Sequence, residues 1–527
     1  MHKQKLITLE AAAALIPDNA VVTVSSSSGL GCPDAALAAI GQRFAASGAP
    51  RQLTTIHPIA AGDMYGIAGI DHIAQPGLLK RVIAGSYPSG PSSMESPKIW
   101  QMIHANQVEA YNIPSGILFH MHREAAAQRP GVLTQVGMDT FVDPRRQGGR
   151  MNEQTREEVV QVVEFDGAEW LYFRAIAPDV AIIRATTADE QGNLTFEHEG
   201  AYLGALDQAM AAHNNGGTVI AQVKRVVAAG SLHPQSVRVP GVLVDYLVTA
   251  PEQMQTTQTD YEAAISGEVR RPGHTFETTE WGLDKVIARR AAMELGMGEA
   301  VNLGFGISAL TPRVLLEEGL DGAVTWVIEQ GAVGGMPLLG FQFGCAANAQ
   351  AIVASPDQFT YFQGGGFDRS LLSFLEIGQD GSVNVSRLAS RPHITAGAGG
   401  FVDITARARN IVFSGYFTTA GARYDLTDGV LRIVQEGKVR KLTPQVEHVT
   451  FSGRRALALG QQITYVTERC VMKLRPAGIT VTEIAPGVDL ERDVLGQAGF
   501  PLQVDGDLRT MDVRLFRPEP MGLKLRD

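Results

Sequence analysis

One order of elements, helix then strand then glycine-rich loop then helix, occurs at the start of the chain and again near its middle. This repetition restricts the fold more than any single motif. Thr8 caps a helix through Ile16, Pro17-Asp18-Asn19 ends it, Ala20 to Val24 is a strand, and SSSSGLGCPD leads into a helix from about Ala35 to Phe44. The second occurrence is a helix from about Leu283 to Leu295, a stop at Gly296, a strand from Ala300 to Leu303, the loop GFGISALTP and a helix starting near Arg313. Runs at Thr54 to Ile59, Arg81 to Ala84, Ala181 to Arg184 and Val219 to Val223 alternate with helical patterns, which implies a mostly parallel sheet. A chain of 527 residues exceeds one ordinary core. The expected fold is α/β, with two homologous open α/β domains and mostly parallel sheets: residues 1–255, a polar linker at 256–280, and residues 281–527. In the second half, short strands are expected at Ala351 to Ala354, Phe359 to Phe362, Ile411 to Phe417, Leu431 to Gln435, Val446 to Thr450 and Gln462 to Thr467, and a surface tail from Pro518 onward.

Within that second half, VTWVIEQGAVGGMPLLGFQFG, from Val324 to Gly344, joins a strand to a charge. Val324 to Ile328 has the β-branched and aromatic character of a strand buried on both faces. It ends in Glu329, at the carboxyl end of a strand, where open α/β sheets bind their ligands. Gly331, Gly334 and Gly335 follow at once and remove side chains where the backbone turns or approaches another group, so they are candidates to line a substrate pocket.

Charge and composition narrow the partners. A formal charge of −10 offers no basic footprint for nucleic acid. Cys32, Cys345 and Cys470 stand far apart without metal spacing and read as reduced residues of a cytoplasmic protein. His120 and His122, two apart, point to different faces of a helix and share no metal. No apolar run approaches the roughly 20 residues that span a bilayer. Arg145 with Arg146, and Lys224 with Arg225, are basic pairs that suit either phosphate or solvent.

Two chemistries compete for Glu329. Gly304-Phe305-Gly306-Ile307-Ser308-Ala309 with an acid some twenty residues on meets a dinucleotide fingerprint. In a nicotinamide enzyme, however, nothing requires glycines crowded around the acid itself. The run Gly397-Ala398-Gly399-Gly400-Phe401 offers successive amides as an anion nest, so that a nucleophilic carboxylate and oxyanion donors are both at hand. A carboxylate of ordinary pKa, about 4.3, is ionised at neutral pH without a general base. Towards a thioester carried on a large handle its attack gains from positioning, up to roughly 7–11 kcal/mol of the barrier. No GxSxG elbow supports a serine hydrolase.

The residues also resemble a known family. Glu329-Gln330-Gly331 with AVGGMPLLGFQFG, and VNLGFGIS, YFQGGGFDRSLLSFLEIGQDGSVNVS, ITAGAGGFVDIT, YVTERCVMKL and EIAPGVDLERDVL, are similar to the class I CoA-transferases. In the first half VVTVSSSSGLGCPDAAL, PGVLTQVGMDTFVDPRRQGGRMN and PDVAIIRATTADEQGNLTFEHEGA agree, and the nearest likeness is to the fused single-chain branch acting on acetate, propionate and 3-oxoacids. The resemblance implies an active site between the domains, Glu329 as catalytic glutamate, and the GAGGF run as the oxyanion and CoA contact. It also implies an acyl-side pocket near Ser115 and Gly116, where many relatives carry Pro-Gln-Gly. It implies a glutamyl-CoA thioester intermediate, acyl-CoA and short-chain acids as substrates, no resident cofactor or metal, and a homo-oligomer, dimer or tetramer. An acyl-CoA thioesterase, a nicotinamide oxidoreductase and a non-catalytic CoA-binding protein are the rival readings.

Overall fold

The computed structural model describes residues 4–91 and 93–526; the outermost ends of the two expected domains, residues 1–3 and 527, lie outside them. In the first half, β1 (Val21–Val24), β2 (Leu53–His57), β3 (Leu79–Ala84), β4 (Glu109–Asn112), β5 (Val180–Asp189), β6 (Thr218–Val227) and β7 (Tyr246–Thr249) form one sheet. Their order is β7-β6-β5-β1-β2-β3-β4, and all these pairs are parallel. Helices α1 (Leu9–Ala14), α2 (Asp34–Ser47) and α3 (Ser115–Ala126) belong to this half. Every residue of β5 is buried, as a strand covered on both faces requires. Strands are added first on one side of β1 and then on the other, so the loop after β1, with Ser25 to Ser28, opens at the point where the winding reverses.

The second sheet contains β8 (Ala300–Leu303), β9 (Thr325–Val327), β10 (Ala332–Val333), β11 (Ala351–Ile352), β12 (Arg369–Ser373), β13 (Asn410–Ser414), β14 (Gln462–Val466), β15 (Cys470–Arg475), β16 (Gly478–Ile484) and β17 (Gln503–Thr510). Its order is β11-β10-β9-β8-β12-β13-β14-β15-β16-β17. The central strands from β9 to β14 are parallel; antiparallel pairs extend the sheet beyond β9 to β11 and beyond β14 to β16, and β17 joins β16 in parallel. Helices α4 (Leu283–Ala292), α5 (Thr311–Glu317), α6 (Ser355–Gln363) and α7 (Phe401–Thr405) complete the parts that bear on the site. Both sheets therefore carry the expected unit: α1, β1, loop, α2 in one and α4, β8, loop, α5 in the other.

Two local expectations, both of strands, are corrected. Phe359 to Phe362 is not a strand but part of α6, because Pro356 and Asp357 start a helix and Phe359 and Phe362, three apart, bury one face of it. Val446 to Thr450 has the alternation of a strand, with Val446, His448 and Thr450 buried, yet it joins no ladder and docks through bonds such as Phe141 N to Val449 O, 2.8 Å. The tail from Pro518 is mostly exposed and is anchored by Met521 and Leu523, which are buried and whose amides donate to Glu318. The polar segment 256–280 is partly packed, with Thr256, Thr257, Ala264, Ile265 and Phe276 buried. A Cβ on Gly29 would fall 2.3 Å from Thr257 Oγ1, so this segment lies directly against the loop after β1.

Candidate active site

Glu329 stands two residues beyond β9, at the carboxyl end of a strand in the parallel centre of the second sheet. The chain turns sharply there: Gly331 N donates to Ile328 O and Ile328 N to Ala332 O, each 2.9 Å. Gly331, Gly334 and Gly335 all have positive φ, at 119°, 70° and 72°. Added Cβ atoms would lie 2.0 Å from Val353 O, 2.6 Å from Gln350 and 2.4 Å from Ala347 O. On the side where a Cβ would stand, the close approach that these glycines permit is to the chain's own 347–353 segment.

The Glu329 side chain is half-buried. Gln330 Nε2 lies 3.2 Å from Glu329 Oε1 and 3.2 Å from Ser27 Oγ of the loop after β1, tying the carboxyl to the other half of the molecule. The Gly400 amide is directed at the same carboxyl. Burial pushes the carboxyl up to about 7, and the Gly400 and Gln330 donors only partly oppose that rise. Burial thus biases this carboxyl toward its protonated form, relative to an exposed glutamate of ordinary pKa. Among the described residues no lysine or arginine forms an ion pair with it.

The GAGGF run is not a nest of free donors. Ala398 N donates to Asn112 Oδ1 at 2.9 Å, Gly399 N to Gly85 O at 2.7 Å, and Phe401 N to Ala398 O at 3.0 Å. Gly400 alone among these four presents its amide to Glu329. A Cβ there would lie 2.4 Å from Glu329 Oε2 and 2.6 Å from the Phe359 ring, so the approach requires glycine. Gly397 and Gly399 turn the loop with φ of 92° and 52°. Ser115 and Gly116 are both buried and grip this loop: Ser115 N donates to Gly399 O at 2.9 Å and Gly116 N to Asp403 Oδ2 at 3.0 Å. Through these bonds they join the two halves next to Gly400.

Several of these partners escape the sequence. Asn112 donates from Nδ2 to Ala84 O and Gly85 O, at 3.1 and 2.6 Å, while its Oδ1 takes Ala398 N. Phe359 stacks on Phe119 across the halves, with ring centroids 5.7 Å apart. The one signal for Asp403 is an acid inside the apolar run FVDIT; nothing marks Asn112. Of the groups set aside, His122 is buried with Nε2 2.8 Å from Thr23 Oγ1, and His120 Nε2 lies 3.1 Å from Thr360 Oγ1. Arg145 pairs with Asp143 and Glu169, and Arg225 with Glu197. Among the described residues no group of three His, Cys, Asp or Glu is placed to hold a metal, and no helix is long and apolar enough to cross a membrane.

A carboxyl with no counter-charge among the described residues and a backbone donor upon it is an arrangement that can do acyl chemistry. Comparison with known proteins identifies the family. The sequence model of the family described as Coenzyme A transferase matches residues 6–250. The chain is 40% identical over 527 residues to the acetate CoA-transferase YdiF of Escherichia coli (strain K12), covering 99% of this chain and 96% of that one. It is 39% identical over 524 residues to the caffeate CoA-transferase of Acetobacterium woodii, covering 98% of each. The crystal structure of the E. coli O157:H7 acyl-CoA transferase YdiF as a thioester complex with CoA matches with a TM-score of 0.90 at 37% identity, covering 100% of this chain and 98% of that one. The chain belongs to the coenzyme A transferase family. As a member it is an enzyme that moves CoA between an acyl-CoA and a carboxylate.

Proposed function

We propose that the transfer runs by a ping-pong route through a thioester on Glu329. The observation that carries this is the Glu329 carboxyl at a strand end, without a cation and under the Gly400 amide. Its ionised form attacks the acyl-CoA carbonyl carbon; the C–S bond breaks and CoA leaves as thiolate, giving an acyl-glutamyl anhydride. The thiolate then attacks the glutamyl carbonyl, the first acid departs as carboxylate, and a glutamyl-CoA thioester remains. An acceptor carboxylate reverses both steps. Gly400 N–H would take up the charge that forms on the glutamyl oxygen when the thiolate, or later the acceptor carboxylate, adds to the glutamyl carbonyl. No redox cofactor enters these steps. Residues 1–255 and 281–527 act as the two domains around this site, in a cytoplasmic homo-oligomer.

The acids are short-chain acids such as acetate, propionate or acetoacetate. The caffeate specificity of one relative makes a hydroxycinnamate the informative competitor. Mixing the enzyme with acetyl-CoA and no acceptor, followed by borohydride, should reduce a thioester at Glu329, read by mass spectrometry of the peptide that contains it. Exchange onto a panel of short acids and caffeate then ranks the acceptors. Exchange without any modification at Glu329 would overturn the route, and turnover to free acid and CoA without acceptor would make the enzyme a thioesterase.

A further inference from the structure

A second carboxyl lies under the same loop. Asp403, on α7, is wholly buried. Its Oδ2 accepts from Gly116 N at 3.0 Å and its Oδ1 from Gln363 Nε2 at 2.8 Å. Gly116 opens α3 in the first half, and Gln363 closes α6 in the second, so one carboxylate gathers three helices from both halves. The fit is tight: a Cβ on Gly116 would fall 2.6 Å from Asp403 Oδ1. Three residues before Asp403 stands Gly400, whose carbonyl accepts from Ile404 N at 2.9 Å in the first turn of α7. Movement of Asp403 therefore moves the amide that faces Glu329.

We propose that Asp403 is a positioning residue of the transfer reaction, clamping the first turn of α3 onto α7 so that the Gly400 amide stays on the Glu329 carboxyl. This rests on Glu329 being the nucleophile. Other charged groups on the packed helices are engaged elsewhere: Arg123 of α3 pairs with Asp207 and with Asp357 of α6, and Arg407 beyond α7 donates to Gln135. His120 faces Pro356 O and Thr360, His122 faces Thr23, Glu124 pairs with Arg129, and Tyr361 of α6 packs against Phe362 and Phe367. Glu329 is the charge that Asp403 feels. Burial pushes Asp403 up to about 7, the Gly116 and Gln363 donors oppose this, and Glu329 adds to it. Two negative charges oppose one another, so loss of the charge on Asp403 should ease ionisation of Glu329.

Two substitutions separate shape from charge. Asp403→Asn keeps the outline and removes the charge; Gly116→Ala keeps the charge and forces the clamp apart. Gly116→Ala should lower kcat by about 10²-fold, the scale of a misplaced oxyanion donor, with KM for acyl-CoA changed only a few-fold and the acid limb of the pH–rate profile unmoved. Asp403→Ala should lose as much. Asp403→Asn should recover most of that loss and shift the acid limb to lower pH. A wild-type kcat in folded Asp403→Ala would overturn the proposal, as would Asp403→Asn matching Asp403→Ala with an unmoved limb. Borohydride trapping at Glu329 in the wild type keeps this separate from the route itself: no adduct would refute the nucleophile, whereas an adduct with normal Asp403→Ala turnover refutes only the clamp.

Discussion

Glu329 and Glu468 occupy equivalent places in the second sheet, each two residues beyond a parallel strand, β9 and β14. Their surroundings are opposite. Glu468 is fully buried and takes Phe417 N at 2.8 Å, Arg469 Nε at 2.8 Å and Tyr424 Oη at 3.1 Å. Arg469, also fully buried, is held in turn by Glu436 at 2.9 Å and by Asp493 O at 2.9 Å. Glu329 has a glycine amide and a neighbouring glutamine amide and, among the described residues, no cation. The same residue at the same kind of strand end is a structural strut where its charge is met and, on the proposed route, a reactive group where it is not.

The sharpest test of that contrast is the same substitution at both places. Glu329→Gln should lower CoA exchange by more than about 10⁴-fold, because an amide cannot form the anhydride, with the fold intact by circular dichroism. Glu468→Gln should instead keep kcat per folded molecule and lose stability. The loss should be about 3 kcal/mol by urea denaturation, the low end for a broken buried pair because Arg469 retains Glu436.

A smaller effect carries the opposite sign at Glu329. Its folded pKa, about 7, lies above the ordinary 4.5. The native state therefore holds a proton that the unfolded chain has released, and stability falls as pH rises from 4.5 to 7. Relative to the wild type, Glu329→Gln should be equally stable below about pH 4.5 and more stable at pH 8, by up to about 3 kcal/mol. Equal stability at pH 8 would erase the distinction between the two sites. The smallest effect is kinetic: kcat/KM should fall about tenfold for each pH unit below 7, as the attacking carboxylate is protonated.

Sequence and structure part company along the same line. Glu329 is legible because a run of strand-forming residues ends in an acid among glycines, a local pattern. The repeated unit and the parallel sheets are legible for the same reason. What the glycines do is not, because Gly331 meets Val353 and Gly400 meets Phe359 only after folding. The amides of Ala398 and Gly399 look free in sequence but are spent on Asn112 and Gly85, each more than 280 residues away. The upward shift at Glu329 is not legible in the sequence, because burial is a property of the assembled halves.

Asn112 carries a consequence for the ageing of the protein. Its amide nitrogen faces two carbonyl oxygens, Ala84 O and Gly85 O, while its oxygen receives Ala398 N. Hydrolysis of that amide to a carboxylate would turn a donor into a charged acceptor against both carbonyls. One deamidation, invisible to stain or size, would loosen the seam under Glu329, so stored protein should lose turnover ahead of fold.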